Sequence, residues 1–214
     1  MAEKTTSLAN QAYEKIKENI LHLTYPPGMT LTEAMLTEEL GMSRSPVRTA
    51  IHRLQDDGLI VTDYYKSLTV KEITDRDIYE LYQLRELIEG AAFKQIFTCE
   101  RNEEYSYRIE EKVVRMCACS DNNYDWELAD TDMHMEIISI LDNQRINKIY
   151  ENNLSELIRI GQYSVRNGME IKRTNDNAKR MVKLMRDGKY EEAYEILRKD
   201  HFGTGKDSAL KSRV

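Results

Sequence analysis

Apolar residues along the first third of this chain return every three or four positions, then briefly every second one. Ala12, Ile16, Ile20 and Leu23 predict a first helix over about 7–23. It must stop at Pro26-Pro27-Gly28, where two backbone donors are missing and glycine permits a turn. Thr32 is placed to cap a second helix, Glu33 to Leu40, closed by Gly41. A third helix starts near Ser43 or Ser45, with Pro46 in its first turn, and ends by Gly58. Its inward positions are Val47, Ile51 and Leu54. Ile60, Thr62, Leu68 and Val70 then predict two short strands about a turn near 65–67. Helix, short helix, turn, helix, hairpin is the outline of a winged helix-turn-helix.

From Thr74 the period is helical. Thr74 and Asp77 resemble a capping box with Asp in place of Glu, opening a long amphipathic helix with Ile78, Leu81, Tyr82, Leu84, Leu87, Ile88 and Ala91 on its apolar stripe. Further helices are expected at about 102–119, 124–141, 143–167, 174–187 and 189–202. The fold class is mainly α. A winged helix-turn-helix occupies 1–72, an all-α helical bundle 74–203, and 204–214 is expected to be a frayed polar tail.

Composition supports this. Charged residues make up 32% of the 214, while glycine (9) and proline (3) are scarce, which suits helices better than a sandwich or barrel. No apolar run is long enough to cross a bilayer and the N-terminus lacks a signal-peptide core, so a cytoplasmic protein with no membrane partner is expected. Three cysteines, an odd number, argue against a disulfide framework.

Charge raises the functional question. The net charge is −6, yet residues 1–71 hold eight Lys and Arg against nine Asp and Glu, so the first part is nearly neutral. Ser43, Arg44, Ser45 and Arg48 cluster at the start of the third helix. A helix N-terminus already offers free N–H groups and partial positive charge, and arginine can grip a guanine edge with two hydrogen bonds. Such a helix fits a DNA major groove.

The stretch from Pro27 to Leu59 resembles the DNA-binding domain of the GntR family of bacterial transcription regulators, matching at Pro27, Gly28, Leu31, Leu36, Leu40, Gly41, Ser43, Arg44, Pro46, Val47, Arg48, Ala50, Leu54, Gly58 and Leu59. The resemblance implies that Arg44 and Arg48 contact bases or phosphates, that Ser43 and Ser45 contact phosphates, and that Pro46 belongs to the same surface. The family's wing tip usually carries Arg-Gly or His-Gly; here Lys66 and Ser67 stand there, and Lys66 can meet a phosphate. It also implies a homodimer on a near-palindromic operator of double-stranded DNA.

In the second part, Asp130 and His134 lie four residues apart, on one helical face, where they can chelate a divalent cation. Together with residues 77–92 this pattern is similar to the FCD effector domain of the FadR subfamily. That resemblance implies one metal ion, Zn, Ni or Mn, held by an Asp and three His, and a small carboxylate effector. Two of its ligand positions are not met: Ala178 stands at the third, and Asp200 at the fourth with His201 beside it. Either Asp200 or His201 completes a reduced site, or the pocket works without metal through Arg85 and His134. Arg85 matches an arginine that faces the effector in relatives; otherwise it pairs with Glu89, one turn on.

The reading is a ligand-controlled DNA-binding regulator, with repression the commoner outcome in the family, and not an enzyme. The alternatives are a metal-dependent helical enzyme built on Asp130 and His134, and a regulator whose metal site has lost its function. The enzyme ranks low because no nucleophile–base pair or phosphate loop accompanies those residues.

Overall fold

The computed structural model describes residues 7–62 and 67–210. Its backbone separates into two compact units, Met1–Ile73 and Thr74–Val214.

In the first unit, α1 (Leu8–Leu21), α2 (Glu33–Leu40) and α3 (Arg44–Asp56) pack with a small antiparallel sheet. Its strands β1 (Thr30–Leu31), β2 (Ile60–Thr62) and β3 (Leu68–Val70) run in the order β1-β3-β2, with Ile60 opposite Val70 and Thr30 opposite Thr69. The two-residue β1 carries no readable period and was not expected. Local chemistry sets the helix ends. Thr32 accepts from the Met35 N–H at 3.1 Å, and Gly41 closes α2 in the left-handed region at φ 62°. Ile16, Ile20, Leu36, Val47, Ala50 and Leu54 are fully buried together, so the inward face of α3 is the one its spacing predicts.

The second unit is all helical: α4 (Asp75–Thr98), α5 (Asn102–Ala118), α6 (Asn123–Ile138) with a 3-10 turn at Ser139–Leu141, α7 (Gln144–Arg166), α8 (Ile171–Arg186), α9 (Tyr190–Ile196), a π-helical segment Leu197–Gly203, and α10 (Thr204–Leu210). Both halves of the capping box at Thr74 and Asp77 are formed. Helices α5 and α6 pack along each other, α8 lies on α5, and α4 and α7 close on α6. Trp126 is 1% exposed, and its indole N–H donates to Asn175 on α8 at 2.8 Å.

Two expectations fail. Leu87 and Ala91, expected on the apolar stripe of α4, are exposed. Residues 204–210 are not a frayed tail but form α10, which packs on α7 and α4. Gly205, Ser208 and Ala209 are buried, and the Ser164 hydroxyl donates to the Gly205 carbonyl at 2.8 Å. Small residues at 205, 208 and 209 seat a helix closely, although they contribute little to a hydrophobic period. The three cysteines are free thiols. Among the described residues no helix is long and apolar enough to cross a membrane.

Candidate functional site

Two surfaces carry the predicted chemistry, one in each unit.

On α3, Ser43, Arg44, Ser45 and Arg48 are exposed and Pro46 is half-buried. Ser43 occupies the N-cap position without making a side-chain cap bond. Arg48 is not open: its guanidinium forks onto Glu33 of α2, Nε to Oε1 at 3.0 Å and a terminal nitrogen to Oε2 at 2.9 Å. This pairing holds the Glu33 carboxyl below its usual range. Glu33 therefore presets the direction of Arg48 across the turn. Lys66 lies outside the described residues.

In the helical unit, a buried polar cluster forms where four elements meet. The α4 helix brings Arg85 and Glu89, one turn apart; α6 brings Glu127, Asp130 and His134; α7 brings Tyr150; the π segment brings His201. Glu89 is fully buried and accepts three hydrogen bonds: from Arg85 Nε at 2.9 Å, from the Tyr150 hydroxyl at 2.8 Å, and at 2.5 Å from His134 Nδ1. Arg85 therefore makes the expected pair with Glu89, yet its side chain still lines the hollow beside Asp130 and His201.

The second nitrogen of His134 points the other way. Nε2 lies 3.4 Å from Asp130 Oδ2, and His201 Nδ1 lies 3.8 Å from Asp130 Oδ1. One ligand atom from each of Asp130, His134 and His201 lies within 4.8 Å of the other two. Asp130 Oδ1, His134 Nε2 and His201 Nε2 are buried without a hydrogen-bond partner. Orphaned buried polar atoms are rare and costly. Two imidazoles and a carboxylate, each with one ligand atom within 4.8 Å of the others and each with an unsatisfied polar atom, are a donor set that could hold a divalent transition-metal ion. The hollow lined by Asp130 and His201 measures about 20 Å³, room for an ion or one water.

Charge at the cluster follows from burial and neighbours. Burial opposes ionisation of Glu89, but His134 and Arg85 outweigh it and hold the carboxyl down at about 2. Asp130 behaves alike: burial raises it, His134 and His201 overcome that, and the result is about 2. Burial pushes His201 down to about 4 despite the pull of Asp130. Burial and Arg85 lower His134, yet Glu89 and Asp130 win and raise it above its ordinary value. The carboxylates thus attract a proton to the spot where a metal cation would sit.

Of the two residues weighed for the last ligand position, the structure brings His201 into the cluster and leaves Asp200 out. Asp200 lines a separate hollow with Arg180, Glu192 and Lys199. The π turn is the cause. Ala193, Ile196 and Leu197 are the buried face of α9 and the following turn, and a continuing α-helix would carry that stripe to 200 and 204. The π segment holds one extra residue per turn, so the stripe moves to His201, Phe202 and Gly205. Ala178 is fully buried on α8 and offers no donor. Sequence reasoning missed Tyr150, took Glu89 only as a partner for Arg85, and passed over Glu127, an acid one turn before Asp130 on the same face of α6.

Comparison with known proteins agrees with this architecture. Residues 8–70 match the family described as bacterial regulatory proteins, gntR family, and residues 80–202 match the FCD domain. The uncharacterised HTH-type transcriptional regulator YdhC of Bacillus subtilis is 26% identical over 166 residues, covering 76% of this chain and 74% of its own. An uncharacterised HTH-type transcriptional regulator of Agrobacterium vitis is 30% identical over 132 residues, covering 60% and 77%. The crystal structure of a GntR transcriptional regulator from Rhodococcus sp. RHA1 superposes with a TM-score of 0.76 at 19% identity, over 96% of this chain and 99% of that one, which speaks to the fold.

Proposed function

Because the chain belongs to the gntR family and joins its DNA-binding domain to an FCD domain, we propose that this transcription regulator reads an operator through α3 and is controlled by a metal-assisted ligand site in the helical unit. Regulation of transcription, not catalysis, is the activity of the family and of its named relatives. The finer reading is a homodimer acting in the cytoplasm on a near-palindromic operator, most simply as a repressor, with Arg44 and Arg48 at bases or phosphates and Ser43 and Ser45 at phosphates. Lys66 is assigned a phosphate contact on the resemblance alone.

The observation that carries the ligand site is the close approach of Asp130, His134 and His201, each buried and each with a polar atom that lacks a hydrogen-bond partner. In this reading those residues hold one divalent ion, Zn, Ni or Mn. The bound ion would supply a Lewis-acidic point for a carboxylate oxygen. Arg85 would take part of the remaining charge through its fork. The hollow is too small for a metabolite of several heavy atoms. Ligand entry therefore requires the elements around it to shift, and that shift is the event DNA affinity would sense. Coupling can be no larger than the ligand's differential affinity for the two arrangements. A buried Ala178 favours a second reading, in which His134 and Arg85 alone hold the anion.

Trp126, the single tryptophan, lines the same hollow. The test is to follow its fluorescence, and operator affinity, across a panel of small carboxylates with and without Zn(II), Ni(II) or Mn(II). A carboxylate that changes both signals only with metal supports the proposal. One that acts equally without metal supports the second reading, and no response to any combination contradicts both.

A further inference from the structure

Glu127 is a buried acid that the proposed ion site, as described so far, does not use. It is 5% exposed, on α6, one turn before Asp130 and two before His134. It lines the hollow together with Asp130, His201 and Arg85. Its carboxyl group rests on the backbone of α7 at Gly161: a Cβ there would fall 2.0 Å from Glu127 Cδ and Oε1 and 2.2 Å from Oε2. Glycine inside a helix is less favourable than alanine. A glycine here is explained by the space that the carboxyl occupies. Burying a carboxyl group beside a second one, Asp130, is unfavourable unless something compensates. Burial, then Asp130, push Glu127 well above its ordinary value, with Arg85 opposing.

We propose that Glu127 is the fourth protein ligand of the ion, supplying a donor that Ala178 does not offer. This rests on the reading that Asp130, His134 and His201 hold a metal. Glu127 stands outside the set of atoms lying within 4.8 Å of one another. Glu127 and Asp130 line the same hollow, and a cation between the two carboxylates turns their repulsion into attraction. The resulting donor set is two imidazoles and two carboxylates. Two carboxylates neutralise a divalent charge, and a site richer in oxygen shifts preference toward harder ions such as Mn(II), relative to a site with three imidazoles.

The experiment is calorimetric titration of the metal-depleted full-length protein with Mn(II) and, separately, with Zn(II). It compares wild type with Glu127→Gln, which keeps shape and packing, and with Gly161→Ala, which displaces the carboxyl group without removing it. Asp130→Ala reports on the underlying site. Glu127→Gln is expected to weaken Mn(II) by at least about tenfold, the loss that even an outer partner of a ligand can bring, and to weaken Zn(II) less. Gly161→Ala is expected to act in the same direction. Glu127→Gln with wild-type affinity for both metals, or with equal loss for both, overturns the assignment while leaving the three-residue site standing. If wild type takes up neither metal, the site itself fails and the assignment with it. Should Glu127→Gln not fold, Gly161→Ala carries the same decision.

Discussion

Glu89 on α4 and His134 on α6 are 45 residues apart in sequence and joined by a hydrogen bond of 2.5 Å between Oε2 and Nδ1. Arg85 and Tyr150 donate to the other oxygen of the same carboxylate. A carboxylate with three donors fixes the His134 ring and favours a proton on Nδ1, so Nε2 faces Asp130 as the nitrogen that would give up its proton to a cation. This is how a partner behind a histidine prepares it as a ligand.

Replacing Glu89 with Gln should therefore do more than remove a charge. The amide can accept from only one of its two ends, so at least one donor loses its partner and Arg85 remains buried without its counter-charge. Breaking a buried pair in this way costs roughly 3–5 kcal/mol. Urea unfolding of the metal-free protein should show a loss of that order; a change under about 1 kcal/mol would mean that the pair contributes little.

Acid stability follows from the same carboxylates. Glu89 and Asp130 are held at about 2 in the folded protein, against roughly 4 when unfolded. Their contribution is complete above the unfolded value and is lost as pH falls from about 4 toward 2. The histidines act at higher pH and with opposite signs. His201, lowered to about 4, destabilises the fold as pH drops below about 6.5, while His134, raised, stabilises it below that point. The melting temperature of metal-free protein should fall steeply below pH 4, and less steeply in Glu89→Gln. Parallel curves for the two proteins would place the acid sensitivity elsewhere.

At the DNA surface, Arg48→Ala should weaken operator binding by roughly 1–3 kcal/mol if Arg48 reads a base. Equal loss on operator and random DNA would make it a phosphate contact instead. The fork onto Glu33 adds a second expectation. Glu33→Gln removes a negative charge near the phosphates and loosens the aim of Arg48. Affinity for random DNA should then rise more than affinity for operator, as measured by fluorescence anisotropy at two salt concentrations. A uniform rise on both would show that Glu33 contributes charge but no orientation.

Ending the chain after Gly203 should destabilise the helical unit, since it removes the nearer of two acceptors of the Ser164 hydroxyl and the buried surface of Ser208 and Ala209. A loss of about 2 kcal/mol corresponds to a fall in melting temperature of about 4–8 °C. An unchanged melting temperature would mean that α10 is dispensable.

Much of the fold was legible because it is written locally. Thr32, Gly41, Gly58 and the Thr74–Asp77 box set helix ends through contacts within a few residues. Val47, Ile51 and Leu54 declared the buried face of α3 by spacing alone. The site was legible only in part. Asp130 and His134 announce themselves by a spacing of four, but the link between His134 and Glu89 depends on how α4 meets α6, which no local period encodes. The π segment decides between Asp200 and His201. The stretch from Leu197 to Phe202 contains no glycine or proline to mark the extra residue in its turn. Asp200 was a reasonable reading of a regular helix, and the helix is not regular.

The most direct test of the account is the metal content of full-length protein, purified without tag or chelator, beside an Asp130→Ala variant prepared alike. Asp130, His134 and His201 present three buried donors with nothing to satisfy them, so about one Zn, Ni or Mn per wild-type chain is predicted, with none retained by the variant. Metal-free wild type that also fails to take up added Zn(II), Ni(II) or Mn(II), or a variant as fully loaded as wild type, would contradict the site.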